Sequence, residues 1–469
     1  MTAFLVFLVY STFSTPIIIN RIGTLIIIFT LIIYLNTIDL IGITSGLTLY
    51  NNWFNVTSYN IPLSILILVL IIILLIYSTS TWRYDLKSPY YMLLVIANII
   101  GLLLLPLVND LLSLYIVIEL QSYSLYLLTG LHNRSYNASR AALLYFLMGG
   151  VASAIILLAS YFIYGLTGST NLSDIAIFYS YNNAYNYFDI LLFALLFKMG
   201  MAPLHRWSIS VYNYAPTYIT AYISIVAKIS IVSFIFANAY LFNHYLLIIF
   251  FYISLAIGAY KPLYQINIKT ILAYSGLLNF GYVLLTIITY DISFYIYIIQ
   301  YALTHIILFL GILAASQYIT NPVSKWSPLL YIHQLKLPNT ALAFVLILAF
   351  FSLIGIPPLP GFFAKLYVLA GALQDNYVIE TITIVIASAI ATYYYANIIK
   401  ILITSFTNSS LQQNEHKNIN SNTKELMLAK PHIYINSSLA YILATATVLL
   451  ISFFIFLPSL LEGLYLITV

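Results

Sequence analysis

The chain has 469 residues, of which 62% are hydrophobic and 6% are charged, and its formal net charge is +5. A water-soluble globular protein carries about 25% charged residues, so this composition excludes a soluble domain. It predicts an all-α polytopic membrane protein, because the apolar runs are continuous and do not alternate as the strands of a β-barrel do. Spanning the ~30 Å hydrocarbon core takes roughly 20 residues per helix, which leaves room for about fourteen spans.

The residue types also limit the chemistry that the chain can perform. The sequence has no cysteine, which excludes disulfides, thiolate metal sites and iron–sulfur ligation by this chain. It has no basic run long enough to bind nucleic acid, so no nucleic-acid partner is expected.

The N-terminal residues lack the features of a signal or transit peptide. The bias toward Ile, Asn and Tyr is typical of an AT-rich genome. We therefore expect an organelle-encoded protein that is inserted where it is made.

Fourteen helices are predicted from the apolar runs and from the polar, proline and glycine breaks between them. In chain order they cover about residues 3–18, 22–42, 60–78, 89–107, 110–129, 139–165, 187–205, 215–240, 244–260, 268–289, 292–318, 339–373, 378–403 and 435–459. The seventh is interrupted at Pro203 and the twelfth at the proline-rich segment 355–361, so we predict broken helices there. A polar segment, 407–431, separates the last two helices, and we expect it to be mobile.

The two broken helices lie five positions apart and each carries a lysine, which is typical of a duplicated transport unit. We therefore predict two inverted five-helix repeats, formed by helices 4–8 and 9–13. The domain boundaries follow from this duplication. Residues 1–88 hold the first three helices, residues 89–240 and 241–405 hold the repeats, and residues 406–469 hold the polar segment and the last helix.

Basic residues divide the connections between helices into two groups. Of the 17 Lys and Arg residues, all but three lie in or beside odd-to-even connections, whereas Asp110, Asp174, Asp291 and Asp375 lie in the even-to-odd ones. By the positive-inside rule, the odd-to-even side faces the compartment of synthesis, and both termini face the other way. The three exceptions, Lys198, Lys228 and Lys365, lie inside apolar spans. An ionisable group within a membrane is by default a functional hypothesis.

Glu119 is the one acid that lies deep within a predicted span. It is nine residues past Asp110, which places it roughly 14 Å into the bilayer at about 1.5 Å per residue. Desolvation would drive a proton onto an isolated carboxylate, whereas a nearby lysine would hold the carboxylate ionised. We predict that Lys198 is this partner. The alternative is that the two residues form a buried pair that serves packing alone.

Three further ionisable groups lie within later spans. Lys228 is midway along the eighth helix, His305 is mid-span in the eleventh, and Lys365 follows the break in the twelfth. An ordinary histidine titrates near neutral pH, so His305 is a candidate proton carrier between the two lysines. Structural roles are the alternatives. Lys228 would snorkel to the interface, His305 would only form a hydrogen bond between helices, and Lys365 would cap carbonyl groups freed by the prolines.

Four motifs resemble those of one family. The segment from Lys198 to Thr217 resembles the signature K-x-G-x-x-P-x-H-x-W-x-P-D-V-Y-x-G-A-P-T of the antiporter-like subunits of respiratory NADH dehydrogenase, or complex I. Motifs of the fifth, tenth and twelfth helices of that family are similar to residues 119–122, 268–275 and 355–365, in the same order. One departure is Asn279, which stands where many relatives have histidine, so no relay is expected at that position.

The resemblance implies a proton-translocating subunit of the complex I membrane arm, in the mitochondrial inner membrane, with the odd-to-even loops on the matrix side. Its proton-transfer residues would be Glu119, Lys198, Lys228, His305 and Lys365. NADH, FMN, the Fe–S clusters and ubiquinone would bind to other subunits, and this chain would bind no cofactor or metal. The expected partners are the other membrane-arm subunits, including neighbouring antiporter-like chains, and lipids.

Two functions of other classes stay open at this point. A stand-alone cation/proton antiporter would use the same buried lysines and carboxylate, and it would carry ions without any partner. A purely structural membrane-arm subunit would need the helices but not the lysines, so it would tolerate their replacement.

Overall fold

The computed structural model describes residues 2–11, 16–36, 46–80, 90–131, 135–182, 186–318, 331–335, 337, 339–415 and 435–468. Within these residues the chain forms one short β-hairpin and eighteen α-helices: α1 (Thr2–Ser11), α2 (Pro16–Asn36), α3 (Asn60–Ser80), α4 (Tyr90–Leu104), α5 (Leu111–Gly130), α6 (Tyr136–Thr167), α7 (Leu172–Asn182), α8 (Asn186–Met199), α9 (Arg206–Tyr214), α10 (Thr217–Tyr222), α11 (Lys228–Ala237), α12 (His244–Tyr260), α13 (Ile268–Thr289), α14 (Ser293–Ala315), α15 (Thr340–Ile354), α16 (Pro360–Gln374), α17 (Val378–Glu415) and α18 (Ser437–Thr468).

The predicted all-α membrane architecture is confirmed. Eleven helical segments of the described chain are long and apolar enough to cross a membrane. One of them joins α10 and α11 through a π-helical turn, Ile223–Ala227. The remaining predicted spans correspond to the ten-residue helix α1 and to the two interrupted pairs, α8 with α9 and α15 with α16. The repeat relation and its domain boundaries stay a prediction.

Two predicted boundaries are wrong. The first helix ends at Ser11 and the second begins at Pro16, whereas the sequence placed their boundary near residues 18–22. Proline is favoured at the first position of a helix, because its φ angle is already helical and its missing N–H has no intrahelical partner there. The thirteenth predicted helix, α17, continues to Glu415 instead of ending at 403. Apolar length indicates where a helix leaves the membrane and not where it ends. Residues 416–434 of the polar segment lie outside the described residues.

Two short elements in the connections were not predicted. The hairpin between α2 and α3 pairs β1 (Leu47–Leu49) with β2 (Phe54–Val56) in antiparallel register. Helix α7 lies between α6 and α8, with Asp174 in its first turn. Both elements are too short to produce a membrane-length apolar run, which is the signal that the sequence analysis used.

The most deeply buried helices include those that carry Lys228 and His305. The span formed by α10 and α11 and the helices α13 and α14 are almost entirely buried by their neighbours, whereas α2, α6, α12, α17 and α18 expose much of their surface. Helix α12 packs along α13, and α14 packs against α15 and α16. Lys228 on α11 and His305 on α14 therefore lie inside the protein and not against lipid.

Both predicted helix breaks are present, and a glycine ends the first half of each. Gly200 has a φ of +71° after α8, and Gly355 has a φ of +95° after α15. Other residues adopt this left-handed conformation at a cost, and glycine does so freely. The first break covers residues 200–205, between the end of α8 at Met199 and the start of α9 at Arg206, and contains Pro203 as predicted.

Candidate functional site

Asp110 fixes the start of α5 and therefore the depth of Glu119. The Asp110 side chain accepts a hydrogen bond from the Leu112 N–H at 2.7 Å, which caps the helix. Its second carboxylate oxygen accepts from the Thr170 hydroxyl at 2.6 Å. Nine residues later, Glu119 is buried on the inner face of α5, with 8% of its surface exposed.

The end of α8 places Lys198. The Gly200 N–H donates to the Phe197 carbonyl at 2.9 Å, and the Met201 N–H donates to the Leu196 carbonyl at 3.0 Å. This pair of hydrogen bonds is the Schellman pattern that satisfies the last carbonyl groups of a helix. Lys198 is in the last turn, where the negative end of the helix dipole favours a cation. A Cβ at position 200 would collide with the side chain of Ser208.

The structure brings Glu119 and Lys198 together, as predicted. The Lys198 Nζ lies 3.8 Å from the Glu119 Oε1, and the two side chains are only 8% and 11% exposed. This separation is longer than a hydrogen bond. Neither atom has a hydrogen-bond partner among the described residues. The two charges therefore attract each other without being joined directly.

A small cavity adjoins Lys198. Its volume is about 20 Å³, and its lining includes Lys198, Ser122, Gln121, Tyr145, Trp207 and Tyr212. A water molecule needs roughly 10–15 Å³ and two or more polar partners, so this cavity can hold one. Trp207 is fixed in its wall, because its indole N–H donates to the Phe197 carbonyl at 3.2 Å and its ring stacks on Tyr145.

Lys228 lies near the ring of Tyr212, which also lines this cavity. Its Nζ is 5.3 Å from the centre of the Tyr212 ring and 5.0 Å from that of Phe280, and 4% of the residue is exposed. Aromatic faces stabilise a cation at such distances. Gln121 donates to the Ala227 carbonyl at 3.4 Å and to the Ser230 hydroxyl at 3.2 Å. Helix α5, which carries Glu119, is thereby fixed to the helix that carries Lys228.

His305 contacts this region through Tyr301. The His305 Nδ1 lies 3.1 Å from the Tyr301 carbonyl, and the two rings are 4.0 Å apart. Its Nε2 has no hydrogen-bond partner in the described part of the chain. The Tyr301 hydroxyl donates to the Ser224 carbonyl at 3.0 Å, and Ser224 lies in the π turn just before Lys228. Tyr301 therefore joins α14 to the π turn.

Lys365 reaches back across the second helix break. Its Nζ donates to the carbonyls of Leu353 at 2.8 Å and Ile354 at 2.9 Å, which are the last two of α15. The capping contact considered as an alternative role is therefore present. No hydrogen bond between described residues joins Lys365 to His305.

Lys269 is a buried residue that the sequence analysis missed. It was assigned to the edge of a connection, but it is the second residue of α13 and is 2% exposed. Its Nζ donates to the Ala215 carbonyl at 2.7 Å. Ala215 ends α9 and precedes Pro216, so this bond fixes the connection between the broken helix and α10. Its position at the start of a helix gave no sign of burial.

Replacing Lys269 with methionine is expected to destabilise the protein, because the Ala215 carbonyl loses this charged donor. The loss should be about 1–3 kcal/mol, because the buried Ala215 carbonyl would keep the longer 3.4 Å hydrogen bond from the Thr220 hydroxyl but lose its short charged one. It is measured as a lower thermal unfolding midpoint of the purified protein. Lys261→Met is the matched control, because Lys261 is exposed on the same side of the membrane. Equal midpoints for the two variants would contradict the anchoring role.

Tyr212, Tyr301 and Gln121 also contribute to the site without having been predicted. With 44 tyrosines in the chain, no single tyrosine stands out in the sequence. Among the described residues, no group of three His, Asp or Glu side chains could hold a metal ion.

Comparisons with known proteins identify the family of the chain. The profile of the family described as NADH:quinone oxidoreductase/Mrp antiporter, TM, matches residues 108–392, from just before α5 into α17. The NADH-ubiquinone oxidoreductase chain 2 of Debaryomyces hansenii is 66% identical over 467 residues, covering 100% of this chain and 99% of that protein. Chain 2 of Candida albicans is 51% identical over 449 residues, covering 95% of this chain and 90% of that protein.

Solved structures show the same fold. A chain of respiratory complex I from Thermus thermophilus with bound aureothin superposes with a TM-score of 0.75 at 23% identity, covering 99% of this chain and 97% of its own. A chain of the Mrp complex from Dietzia sp. gives a TM-score of 0.75 at 19% identity, covering 99% of this chain and 93% of its own. From the profile and the two yeast sequences, the chain belongs to the NADH:quinone oxidoreductase/Mrp antiporter family and, within it, to the NADH-ubiquinone oxidoreductase chain 2 proteins.

Proposed function

We propose that this chain translocates protons as a membrane-arm subunit of respiratory NADH:ubiquinone oxidoreductase. The relatives named above are subunits of that enzyme. The observation that carries the proposal is the Glu119–Lys198 pair, in which two opposite charges lie 3.8 Å apart inside a span beside a cavity that has room for water. A pair held for packing alone gains most from direct hydrogen bonds, and this pair has none among the described residues.

Glu119 controls the charge of Lys198 in this mechanism. Desolvation favours the neutral form of a lysine, and a nearby carboxylate favours the charged form. A change in the electrostatic field at Glu119 therefore loads a proton onto Lys198 or releases it. Because Lys198 lines the small cavity, the released proton can leave through a water molecule there.

The proton then moves along the middle of the protein. Tyr212 lines the cavity beside Lys198 and also faces Lys228, so one tyrosine contacts both the cavity and the second lysine. His305 follows on α14, with its Nε2 free to accept a proton, and Lys365 is the last group before the opposite side. The steps between Lys228, His305 and Lys365 require water, because no described hydrogen bond joins them.

The energy for this movement comes from elsewhere in the enzyme. NADH, FMN, the Fe–S clusters and ubiquinone bind to other subunits, and quinone reduction there is coupled to the charge at Glu119 through the neighbouring membrane-arm chains. The subunit lies in the mitochondrial inner membrane, with its basic odd-to-even loops on the matrix side. Lipids cover its exposed apolar faces.

Glu119→Gln tests this function, because glutamine keeps the shape of the side chain and removes its charge. In coupled vesicles that contain the complete enzyme, we expect the rate of proton translocation through this chain to fall about 10²-fold, the usual effect of removing an acid–base group. The protons translocated per NADH oxidised should fall with it. Asp174→Asn is the control, because Asp174 is an exposed acid on α7.

An unchanged ratio and rate in assembled Glu119→Gln enzyme would refute the proposal and favour the structural subunit. Ion flux through vesicles that contain this chain alone, without the rest of the enzyme, would favour the stand-alone cation/proton antiporter. The first outcome is measured on the complete enzyme and the second on this chain alone, so together they distinguish the structural subunit from the stand-alone antiporter.

A further inference from the structure

A second, much larger cavity opens at one membrane boundary. Its volume is about 560 Å³, and it lies among the start of α3, the end of α11, the connection between α13 and α14, and the last turns of α16 and α18. All of these segments belong to the even-to-odd side, opposite the basic loops. Five tyrosines line the cavity together with Asp291, Ser293 and Gln374. None of these polar residues has a part in the proton path.

Two polar groups of the lining, Ser293 and Asp291, differ in their partners, because the Thr289 side chain forms a hydrogen bond with the Asp291 carboxylate. Ser293 is 5% exposed, and its hydroxyl has no hydrogen-bond partner among the described residues. Asp291 is half-buried and packs against the backbone of α16, where a Cβ at Gly371 would collide with its carboxylate. Burial and the neighbouring Asp375 carboxylate raise the pKa of Asp291. A cation in the cavity would stabilise the ionised Asp291 carboxylate and so oppose this rise in its pKa.

The charge on the even-to-odd side of the protein determines which ligand the cavity can attract. The even-to-odd connections contain no lysine or arginine, and Asp375 lies near Asp291. An anionic group would therefore be repelled, whereas an ammonium group would be attracted. Tyrosines at a membrane boundary lie at the level of the lipid headgroups. The volume is within the range of about 300–1,000 Å³ that is usual for ligand sites.

We propose that this cavity binds the headgroup of a phospholipid that carries a primary ammonium, as in phosphatidylethanolamine. The ammonium donates to the Asp291 carboxylate, and the phosphate accepts from the Ser293 hydroxyl and the Gln374 amide. A choline headgroup has no N–H to donate to Asp291, and a glycerol headgroup leaves the net negative charge of the phosphate uncompensated. Leu461 and Tyr465 of α18 form the outer edge of the cavity, so the acyl chains can pass beside them into the bilayer.

Photo-crosslinking of the complete enzyme in nanodiscs tests this site. Phosphatidylethanolamine, phosphatidylcholine and phosphatidylglycerol are compared, each with the same photoreactive acyl chain, and labelled peptides are identified by mass spectrometry. We expect phosphatidylethanolamine to label segments 290–296, 367–374 and 461–465 about tenfold more than phosphatidylglycerol, which corresponds to about 1.4 kcal/mol. Phosphatidylcholine should fall between them.

Asp291→Asn should remove most of this preference in enzyme that is shown to be assembled. Asp174→Asn should keep it, because Asp174 is an exposed acid on the same side outside the cavity. If Asp291→Asn enzyme does not assemble, Ser293→Ala takes its place, with a smaller loss of labelling expected. Equal labelling by the three lipids, no labelling of these segments, or an unchanged preference in the assembled variant would overturn the proposal.

Discussion

Lys198→Ala is expected to stop proton transfer through this chain in fully assembled enzyme. The lysine is the acid–base group of the buried pair, and removing such a group slows the step that it serves by about 10²–10⁴-fold. The measurement is the number of protons translocated per NADH oxidised, together with the coupled rate, in sealed vesicles. Both should fall. Lys261→Ala is the control, because it removes an exposed lysine from the connection between α12 and α13.

Alanine at position 198 has a second effect that must be separated from the first. It leaves the Glu119 carboxylate buried without its cation, and breaking a buried pair in this way costs about 3–5 kcal/mol. The double variant Glu119→Gln with Lys198→Met removes both charges, so we expect it to assemble as the wild type does and still not to translocate. Wild-type translocation by the double variant would show that the pair is structural and that the proposed mechanism is wrong.

Lys365→Arg is expected to separate the two roles of Lys365, which are the capping of α15 and the transfer of protons. Arginine keeps a charged donor for the carbonyls of Leu353 and Ile354, but it does not lose its proton in proteins. We therefore expect assembled, thermally stable enzyme that no longer translocates protons through this chain. Lys365→Met loses the donors as well, and each carbonyl left without a partner costs about 1–3 kcal/mol. That variant should unfold at a lower temperature.

The measurements are the thermal midpoint and the proton translocation of the same preparations. Translocation by Lys365→Arg at the wild-type rate would show that the ammonium serves only as a cap for α15. A lowered thermal midpoint in Lys365→Arg would show that arginine does not reproduce the contact, and Lys365→Gln would then be compared as a neutral donor.

The pairing of Glu119 with Lys198 could be predicted because an apolar span leaves few ways to compensate a charge. Only one acid lay deep in a predicted span, and Lys198 was one of only three lysines inside apolar spans. The helix breaks could be predicted because proline removes a donor and distorts the turn before it. These arguments depend on composition and local chemistry, which are visible in the sequence.

The contacts around Lys365 and Lys269 could not be predicted, because their partners are backbone carbonyls distant in the chain. Nothing in the sequence marks Ala215 or Leu353 as an acceptor, since every residue has a carbonyl group. The hydrogen bond from Tyr301 to Ser224 could not be predicted either, because it depends on how α14 packs against the π turn. The boundary between α1 and α2 was missed because the two helices form nearly one apolar run.

The π turn at Ile223–Ala227 has a consequence for the direction in which Lys228 points. A π turn holds about one residue more than an α turn, so it sets the rotation of the helix that follows it. If this turn adopted α-helical geometry, Lys228 would swing about 100° around the helix axis relative to α10 and move along it by about 1.5 Å. Its ammonium would leave the rings of Tyr212 and Phe280. The π turn therefore sets the direction of the Lys228 charge, and the Tyr301–Ser224 hydrogen bond fixes α14 to that turn.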